Sequence, residues 1–303
     1  KENSDMSYQA DNAVILAAGL SSRFAPISYE MPKALIPVRG EILIERQIRQ
    51  LREAGIDQVI VVTGYKAEMF EYLKKKLGVV LVYNAEYNQK NNHSSIYAVR
   101  EYLKNTYICC ADNYFNVNPF EKNVEGSFYS ALYAEGETNE WCMQEDEEGI
   151  ITSVEIGGRD SWYMNGPAFW TEEYTRQFLD ILNEAYGKPE TADKMWENIY
   201  LENIERLPMK LKKCDGSHIY EFDSLEELRE FDGAYKEHSG SYIMESIAET
   251  LGCREGDIHG INPAKNGDGS VSGIQFLAPG GAYRYDYAAK SIVRYAMQGS
   301  CRS

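Results

Sequence analysis

NAVILAAGLSSRFAPISYEMPKALIPV, residues 12–38, is the stretch on which the fold turns. It opens with an apolar run, Ala13 to Ala18, of the kind that makes a strand buried on both faces. The run breaks into Gly19-Leu20-Ser21-Ser22-Arg23. A glycine there lets the backbone approach a ligand, and bare N–H groups can face phosphate oxygens. Arg23 follows, then Lys33 behind Pro32. A glycine turn after a strand commonly only connects two elements. A glycine turn with two cations at this spacing suits a phosphate site.

Outward from this stretch, strand and helix alternate. Glu41 to Ala54 carries Ile44, Ile48 and Leu51 at a helical period and stops at Gly55. Gln58 to Thr63 reads as a buried strand, Ala67 to Leu77 as a helix, and Val79 to Tyr83 as a third strand. Asn91-Asn92 introduces a helix over His93–Leu103, and Tyr107 to Cys110 is a fourth strand ending in Asp112-Asn113. This alternation predicts an α/β sheet with largely parallel central strands. Ligands gather at the carboxyl ends of such strands, where Gly19, Gly64 and Asp112 sit.

From Ser127 the pattern changes. Ser127–Ala134, Glu140–Gln144, Ile150–Ile156 and Ser161–Trp170 read as four short strands of an excursion that covers a substrate. Helices are predicted over Thr171–Tyr186, Thr191–Ile204 and Ser224–Phe231, with strands over Met209–Cys214 and His218–Phe222. A boundary is placed at 238–241. It divides a loose segment (1–10) and a main domain (11–238) from an α+β appendage (239–303). There, a helix over Tyr242–Leu251 precedes a hairpin of Ile274–Leu277 with Tyr283–Tyr287 across Pro279-Gly280-Gly281.

Composition bounds the function. At 303 residues and 44% hydrophobic content the chain can bury one good core and a small appendage. It carries no apolar run long enough to span a bilayer and no signal-peptide pattern at its start, so no membrane insertion is expected. A net charge of −16 argues against nucleic acid as partner and makes the cations near Gly19 more telling. The six cysteines show no C-x-x-C spacing, which fits reduced thiols in the cytoplasm. The four scattered histidines do not suggest zinc.

The string L-A-A-G, Arg, then Pro-Lys-Ala-Leu resembles the signature of nucleotidyltransferases that join a nucleoside triphosphate to a phosphorylated small molecule. The resemblance implies a GT-A-like, Rossmann-like three-layer sandwich with a mixed central sheet. The glycine loop would hold the triphosphate, with Arg23 and Lys33 neutralising it. Attack of one phosphate anion on another requires positive charge and in-line placement. Mg²⁺ on one or two carboxylates is the usual supplement. Asp112, past the fourth strand, is the natural first carboxylate, although an Asp–Asn turn after a strand is also common. Asp223 is the second, because Ser224 and Glu227 already form the capping box of the next helix. Glu221 neighbours it on the same strand face.

Trp141, Trp162, Trp170 and Trp196, with Tyr133 and Tyr163, all fall in the excursion or just after it. A tryptophan is more often core than ligand. Aromatic faces beside carboxylates nevertheless suit a quaternary ammonium, which cannot donate a hydrogen bond. With ERQI, VVTGY, NNHSSIYAV, ADNYF, TNEW, MWENI and IYEFDS, residues 12–231 resemble the bacterial CTP:phosphocholine cytidylyltransferases that supply CDP-choline for cell-surface polymer decoration. Carried over residue by residue, the resemblance implies that Leu16, Ala17, Ala18, Gly19 and Tyr65 lie near cytidine, with Asn92 and Ser95 contacting it. Arg23, Lys33 and Asp112 would be catalytic, and Asp112 and Asp223 would hold Mg²⁺. Trp141 and Trp196 would hold the choline head, with Tyr133 and Glu221 beside them. Cys110 is a departure, since a relative in the family has a second acidic residue there, and it leaves Asp112 the sole metal ligand expected from its strand.

The stretch from Ile258 to Pro263, with Tyr283-Arg284-Tyr285, loosely resembles the opening of a choline-kinase small lobe, and no kinase catalytic loop follows. Residues from about 241 onward are expected to be dispensable for the chemistry, because the sheet and both proposed carboxylates precede them. Two rivals stand beside CMP transfer from CTP to phosphocholine. One is a cytidylyltransferase for an aminoalkyl phosphonate or another phosphorylated alcohol, the other a catalytically silent binding subunit. Oligomeric state is not legible.

Overall fold

Residues 7–295 are described by a computed structural model. By compactness the chain divides into two units: Lys1–Gly19 with Glu41–Glu221, and Leu20–Gly40 with Phe222–Ser303.

In the first unit the strands of three or more residues are β1 (Asn12–Ala17), β2 (Gln58–Thr63), β3 (Val80–Tyr83), β4 (Thr106–Cys110), β5 (Asn113–Phe115), β6 (Phe128–Glu145), β7 (Ile151–Trp170), β8 (Lys210–Lys213) and β9 (Ile219–Glu221). Seven of them form one sheet in the order β8-β6-β7-β4-β1-β2-β3. β1 lies parallel to β2 and β4, and β2 parallel to β3. β7 runs antiparallel to both β4 and β6, so the sheet is mixed. Ala13, Val14 and Ile15 are fully buried, which explains the unbroken apolar run of β1.

The helices are α1 (Leu43–Glu53), α2 (Tyr72–Leu77), α3 (His93–Ala98), α4 (Glu172–Ala185) and α5 (Trp196–Glu202). α1 buries Ile44, Ile48 and Leu51 completely and is followed by Gly55 at φ +85. α4 starts where the Thr171 hydroxyl accepts the Tyr174 N–H. Its buried Phe178 and Leu182 pack with Trp170, Trp196 and Tyr200 in a core cluster.

Several boundaries differ from the sequence reading. The four short strands of the excursion are two long ones, β6 and β7, paired as a hairpin with several register shifts. The breaks expected at Gly136 and Gly157 are positive-φ irregularities inside continuous strands. α3 stops at Ala98 and continues in turns bonded Val99 N–H to Ile96 and Tyr102 N–H to Val99. The helix expected from Thr191 begins only at Trp196, after a 3₁₀ turn over Pro189–Thr191. Tyr8 and Gln9 are not loose: they pair with Val124 and Asn123, while residues 1–6 lie outside the described residues, as does Cys301.

The second unit contains α6 (Leu225–Phe231), α7 (Tyr242–Leu251) and a four-stranded antiparallel sheet of β10 (His259–Lys265), β11 (Val271–Ala278), β12 (Gly281–Asp286) and β13 (Ser291–Tyr295). The expected hairpin is present, with Ile274 opposite Tyr285 and Leu277 opposite Ala282, turning through Pro279-Gly280. Arg229, only 7% exposed, donates to the carbonyls of Tyr235, Glu255 and Ile258, tying α6 to the chain leading into that sheet. This division falls after Glu221 and takes in Leu20–Gly40, whereas the sequence reading drew its line at 238–241. Among the described residues no helix is long and apolar enough to cross a membrane.

Candidate active site

The candidate residues fall into two sets, one in each unit. In the first, Leu16 and Ala17 end β1, and Ala18 and Gly19 follow. Ala18 O accepts the Tyr65 N–H at 3.1 Å, and Leu16 O accepts the Ala111 N–H at 3.2 Å. The ends of β1, β2 and β4 are thereby laced together. Gly64 is required here, since a Cβ would stand 2.6 Å from Tyr87 Cβ and 3.0 Å from Ala18 Cβ. A Cβ on Gly19 would meet nothing within 4 Å, so that glycine leaves open space above the strand end.

Asn92 and Ser95 are placed at the start of α3. Asn92 Oδ1 accepts the Trp196 N–H at 2.7 Å, and its Nδ2 donates to Glu197 Oε2 at 3.4 Å. Ser95, 3% exposed, accepts from Asn84 Nδ2 at 3.0 Å, which also donates to Ser94. Both side chains thus hold the local frame.

Asp112 is half-buried beyond β4, and β5 pairs antiparallel with β9 so that Asn113 lies opposite Glu221. Asn165 Nδ2 donates to Glu221 Oε2 at 3.3 Å, and Asn113 Nδ2 donates to Asn165 Oδ1 at 3.4 Å. Burial pushes the Cys110 thiol well up, and the negative charges of Asp112, Glu197 and Glu221 add to it. Cys110 is therefore held as a neutral thiol, chiefly by its burial.

Glu197 is a residue the sequence reading passed over, although it sits in the MWENI string. It is 7% exposed and accepts from Tyr129 Oη at 3.1 Å as well as from Asn92. Burial raises its pKa above 4.5, partly offset by hydrogen bonds from its own backbone N–H, Asn92 and Tyr129. The folded state then holds this proton more tightly than the unfolded one. The associated stability is full below pH 4.5 and is lost as pH rises through the raised pKa. Urea-unfolding curves of wild type and Glu197→Gln should therefore diverge in the variant's favour as pH rises from 4.5; a pH-independent difference would contradict the burial effect.

The aromatic residues separate into two groups. Trp196 is 2% exposed, with Trp170, Tyr129 and Phe178 rings 5.2, 5.6 and 6.2 Å from its own. It is a core side chain with no open face, which corrects the expectation that it lines a choline box. Trp141 is half-buried, and Tyr133, 46% exposed, meets Trp162 edge-on at 5.3 Å. Burial raises the Tyr163 hydroxyl pKa, and Glu140 and Glu221 raise it further. An aromatic and acidic surface is thus available on the excursion without Trp196.

In the second unit, Arg23 Nη2 is 3.2 Å from Asp223 Oδ1, and Lys33 Nζ is 3.9 Å from the same oxygen. Arg23 is 76% exposed at its side chain, Lys33 only 5%. Lys33 opens a 3₁₀ turn after Pro32, with its ammonium 5.5 Å from the Phe24 ring centre. The Ser224 hydroxyl accepts the Glu227 N–H, and Glu227 Oε2 accepts the Asp223 N–H. The cap of α6 therefore fixes Asp223 through its backbone and leaves its carboxylate to the two cations. Among the described residues no group of three or more His, Cys, Asp or Glu side chains is arranged to hold a metal.

The profile of the MobA-like NTP transferase domain matches residues 13–116. The choline-phosphate cytidylyltransferase of Streptococcus pneumoniae is 36% identical over 224 residues, which are 74% of this chain and 98% of that protein. About a quarter of this chain lies outside that match. The 2-aminoethylphosphonate cytidylyltransferase of Lancefieldella rimae is 35% identical over 228 residues, covering 74% of this chain and 93% of that one. In structure, the CTP:phosphocholine cytidylyltransferase of Streptococcus pneumoniae superposes with a TM-score of 0.71 at 35% identity, over 75% of this chain and 99% of that one. With matches that run nearly end to end through such relatives, and with the glycine loop and mixed sheet in place, the chain belongs to the choline-phosphate cytidylyltransferase family of nucleotidyltransferases.

Proposed function

We propose that this protein transfers CMP from CTP to phosphocholine, releasing pyrophosphate. A phosphate oxygen of phosphocholine attacks the α-phosphorus of CTP. The bond from that phosphorus to the bridging oxygen breaks, and its electron pair leaves on pyrophosphate. The observation that carries the reading is the likeness, nearly end to end, to choline-phosphate cytidylyltransferases in sequence and in structure. In support, the half-exposed rings of Tyr133, Trp162 and Tyr163 lie on the same unit as Asp112, Glu197 and Glu221. Carboxylates beside aromatic faces suit a cationic head that cannot donate a hydrogen bond.

The backbone of Leu16–Gly19 is assigned to the nucleotide, with Tyr65, Asn92 and Ser95 at its cytidine side. Arg23 and Lys33 neutralise the triphosphate, supported by their meeting an anion, Asp223, already. Asp112 and Asp223 are the carboxylates assigned to Mg²⁺. Such an ion takes one or two carboxylates and keeps waters and phosphate oxygens, a demand that Asp112 and Asp223 would meet. When bound, Mg²⁺ supplies charge neutralisation at the phosphates. CTP as substrate, and five described cysteines that are free, fit a cytoplasmic enzyme.

Pyrophosphate release that requires CTP and phosphocholine together tests the reading; release with neither acceptor preference nor acceptor requirement would contradict it, and no release at all would contradict it and favour the silent binding subunit. The likeness to a 2-aminoethylphosphonate enzyme favours a second reading, in which a primary ammonium donates to these carboxylates. Glu221→Gln is expected to raise KM for phosphocholine about five- to tenfold, the equivalent of about 1 kcal/mol of lost attraction, while KM for CTP stays put. Equal effects on both substrates would remove Glu221 from the choline side.

A further inference from the structure

We infer that the C-terminal residues are a positioning device for the cation-bearing segment 20–40, clamped by Glu30 at the start of α7 and by Tyr29 against Tyr287. The inference rests on the assignment of Arg23 and Lys33 to the triphosphate.

Glu30 Oε1 accepts two hydrogen bonds at 2.9 Å, one from the Ser241 hydroxyl and one from the Ile243 N–H. Ser241 is the N-cap of α7, and its hydroxyl oxygen also accepts the Met244 N–H at 3.1 Å. The carboxylate of Glu30 thus takes one of the donors that a helix start leaves unpartnered, at the positive end of the helix. One residue earlier, the Tyr29 ring stacks on Tyr287 with centres 3.9 Å apart and planes 9° apart.

The segment is held on the far side of Lys33 too. The Tyr235 hydroxyl donates to Pro37 O at 2.5 Å, and Asp232 accepts the Arg39 N–H at 2.7 Å. The Arg39 guanidinium lies 3.7 Å from the centre of the Phe231 ring. Lys33 is therefore suspended between two anchor points, both made by residues later than 230. Nothing in phosphate chemistry requires these contacts. Their effect is to fix where the Lys33 ammonium and its partner Asp223 stand, and a misplacement of about 1 Å in a phosphate-neutralising group can cost about 100-fold in rate. On this inference residues beyond 241 belong to the catalytic framework, the opposite of the expectation that they are dispensable.

The test compares Glu30→Ala, Glu30→Gln and Tyr287→Ala in the full chain. Two readouts are followed: steady-state kinetics, and hydrogen exchange of backbone amides over 24–40. Glu30→Ala and Tyr287→Ala should speed exchange over 24–40 while leaving β1 and β2 unchanged. They should also lower kcat/KM for CTP about 10- to 100-fold with KM for phosphocholine within about twofold of wild type. Glu30→Gln, which keeps an acceptor oxygen, should recover most of both. Unchanged exchange over 24–40 in both alanine variants overturns the clamp, whatever the activity. Faster exchange throughout the chain, with both substrates affected alike, also overturns it by showing mere loss of stability. If wild type turns over no CTP, the proposed function fails separately, and the exchange data still decide whether the clamp holds this segment.

Discussion

Lys33→Ala is expected to lower kcat/KM for CTP by about 10²- to 10³-fold, a loss of about 3–4 kcal/mol of transition-state stabilisation. The magnitude follows from its setting. The side chain is 5% exposed, so its charge acts with little screening by water, and its ammonium already faces the Asp223 carboxylate at 3.9 Å. Arg23 faces the same oxygen but is 76% exposed, so Arg23→Ala should cost markedly less. The Lys33 variant should fold, because Asp223 keeps Arg23 as partner and is itself partly open to solvent. Circular dichroism and a thermal melt check the fold, and pyrophosphate release checks the rate. Near-normal turnover in a folded variant would remove Lys33 from the mechanism.

Trp196→Ala and Trp141→Ala are expected to differ in kind. Trp196 fills the core among Trp170, Phe178 and Tyr129, and removing such a side chain typically costs about 3–5 kcal/mol through lost burial and the cavity left behind. Denaturant melts of Trp196→Ala should show that loss directly, with activity falling for both substrates as the folded fraction falls. Trp141 is half-buried on the hairpin, so its alanine variant should keep nearly wild-type stability. It should raise KM for phosphocholine several-fold and leave KM for CTP unchanged, as loss of one cation–π contact of about 1–2 kcal/mol requires. A stable Trp196→Ala that is selectively weak for phosphocholine would return Trp196 to the substrate.

The parts legible in the sequence were those written in short-range chemistry. The apolar run of β1, the periodic face of α1 and the Ser224 cap of α6 each announce themselves within a dozen residues. The cations Arg23 and Lys33 were legible as a pair through their spacing behind a glycine turn. What stayed hidden depends on distant partners. The burial of Trp196 is decided by Trp170 and Tyr129, and nothing in MWENI separates a core tryptophan from one facing a ligand. Glu197 was overlooked because a carboxylate beside a helix start reads as a solvated cap, whereas Tyr129 and Asn92 hold it inside. The long hairpin was read as four pieces because its positive-φ glycines look like turns. The attachment of residues 20–40 to those beyond 222 joins positions some 200 apart, which no local pattern encodes.

The central claim is CMP transfer to phosphocholine, and its most direct measurement is ³¹P NMR of a competition. The protein is given CTP, Mg²⁺ and equal concentrations of phosphocholine, phosphoethanolamine and 2-aminoethylphosphonate, and the products are resolved by chemical shift. The account predicts pyrophosphate together with CDP-choline as the dominant nucleotide product, in about tenfold or greater excess over the primary-amine products, as desolvated cation–π contacts would give. A dominant phosphonate or ethanolamine product would assign the acidic face to a primary ammonium instead, and CTP left intact would contradict the account altogether.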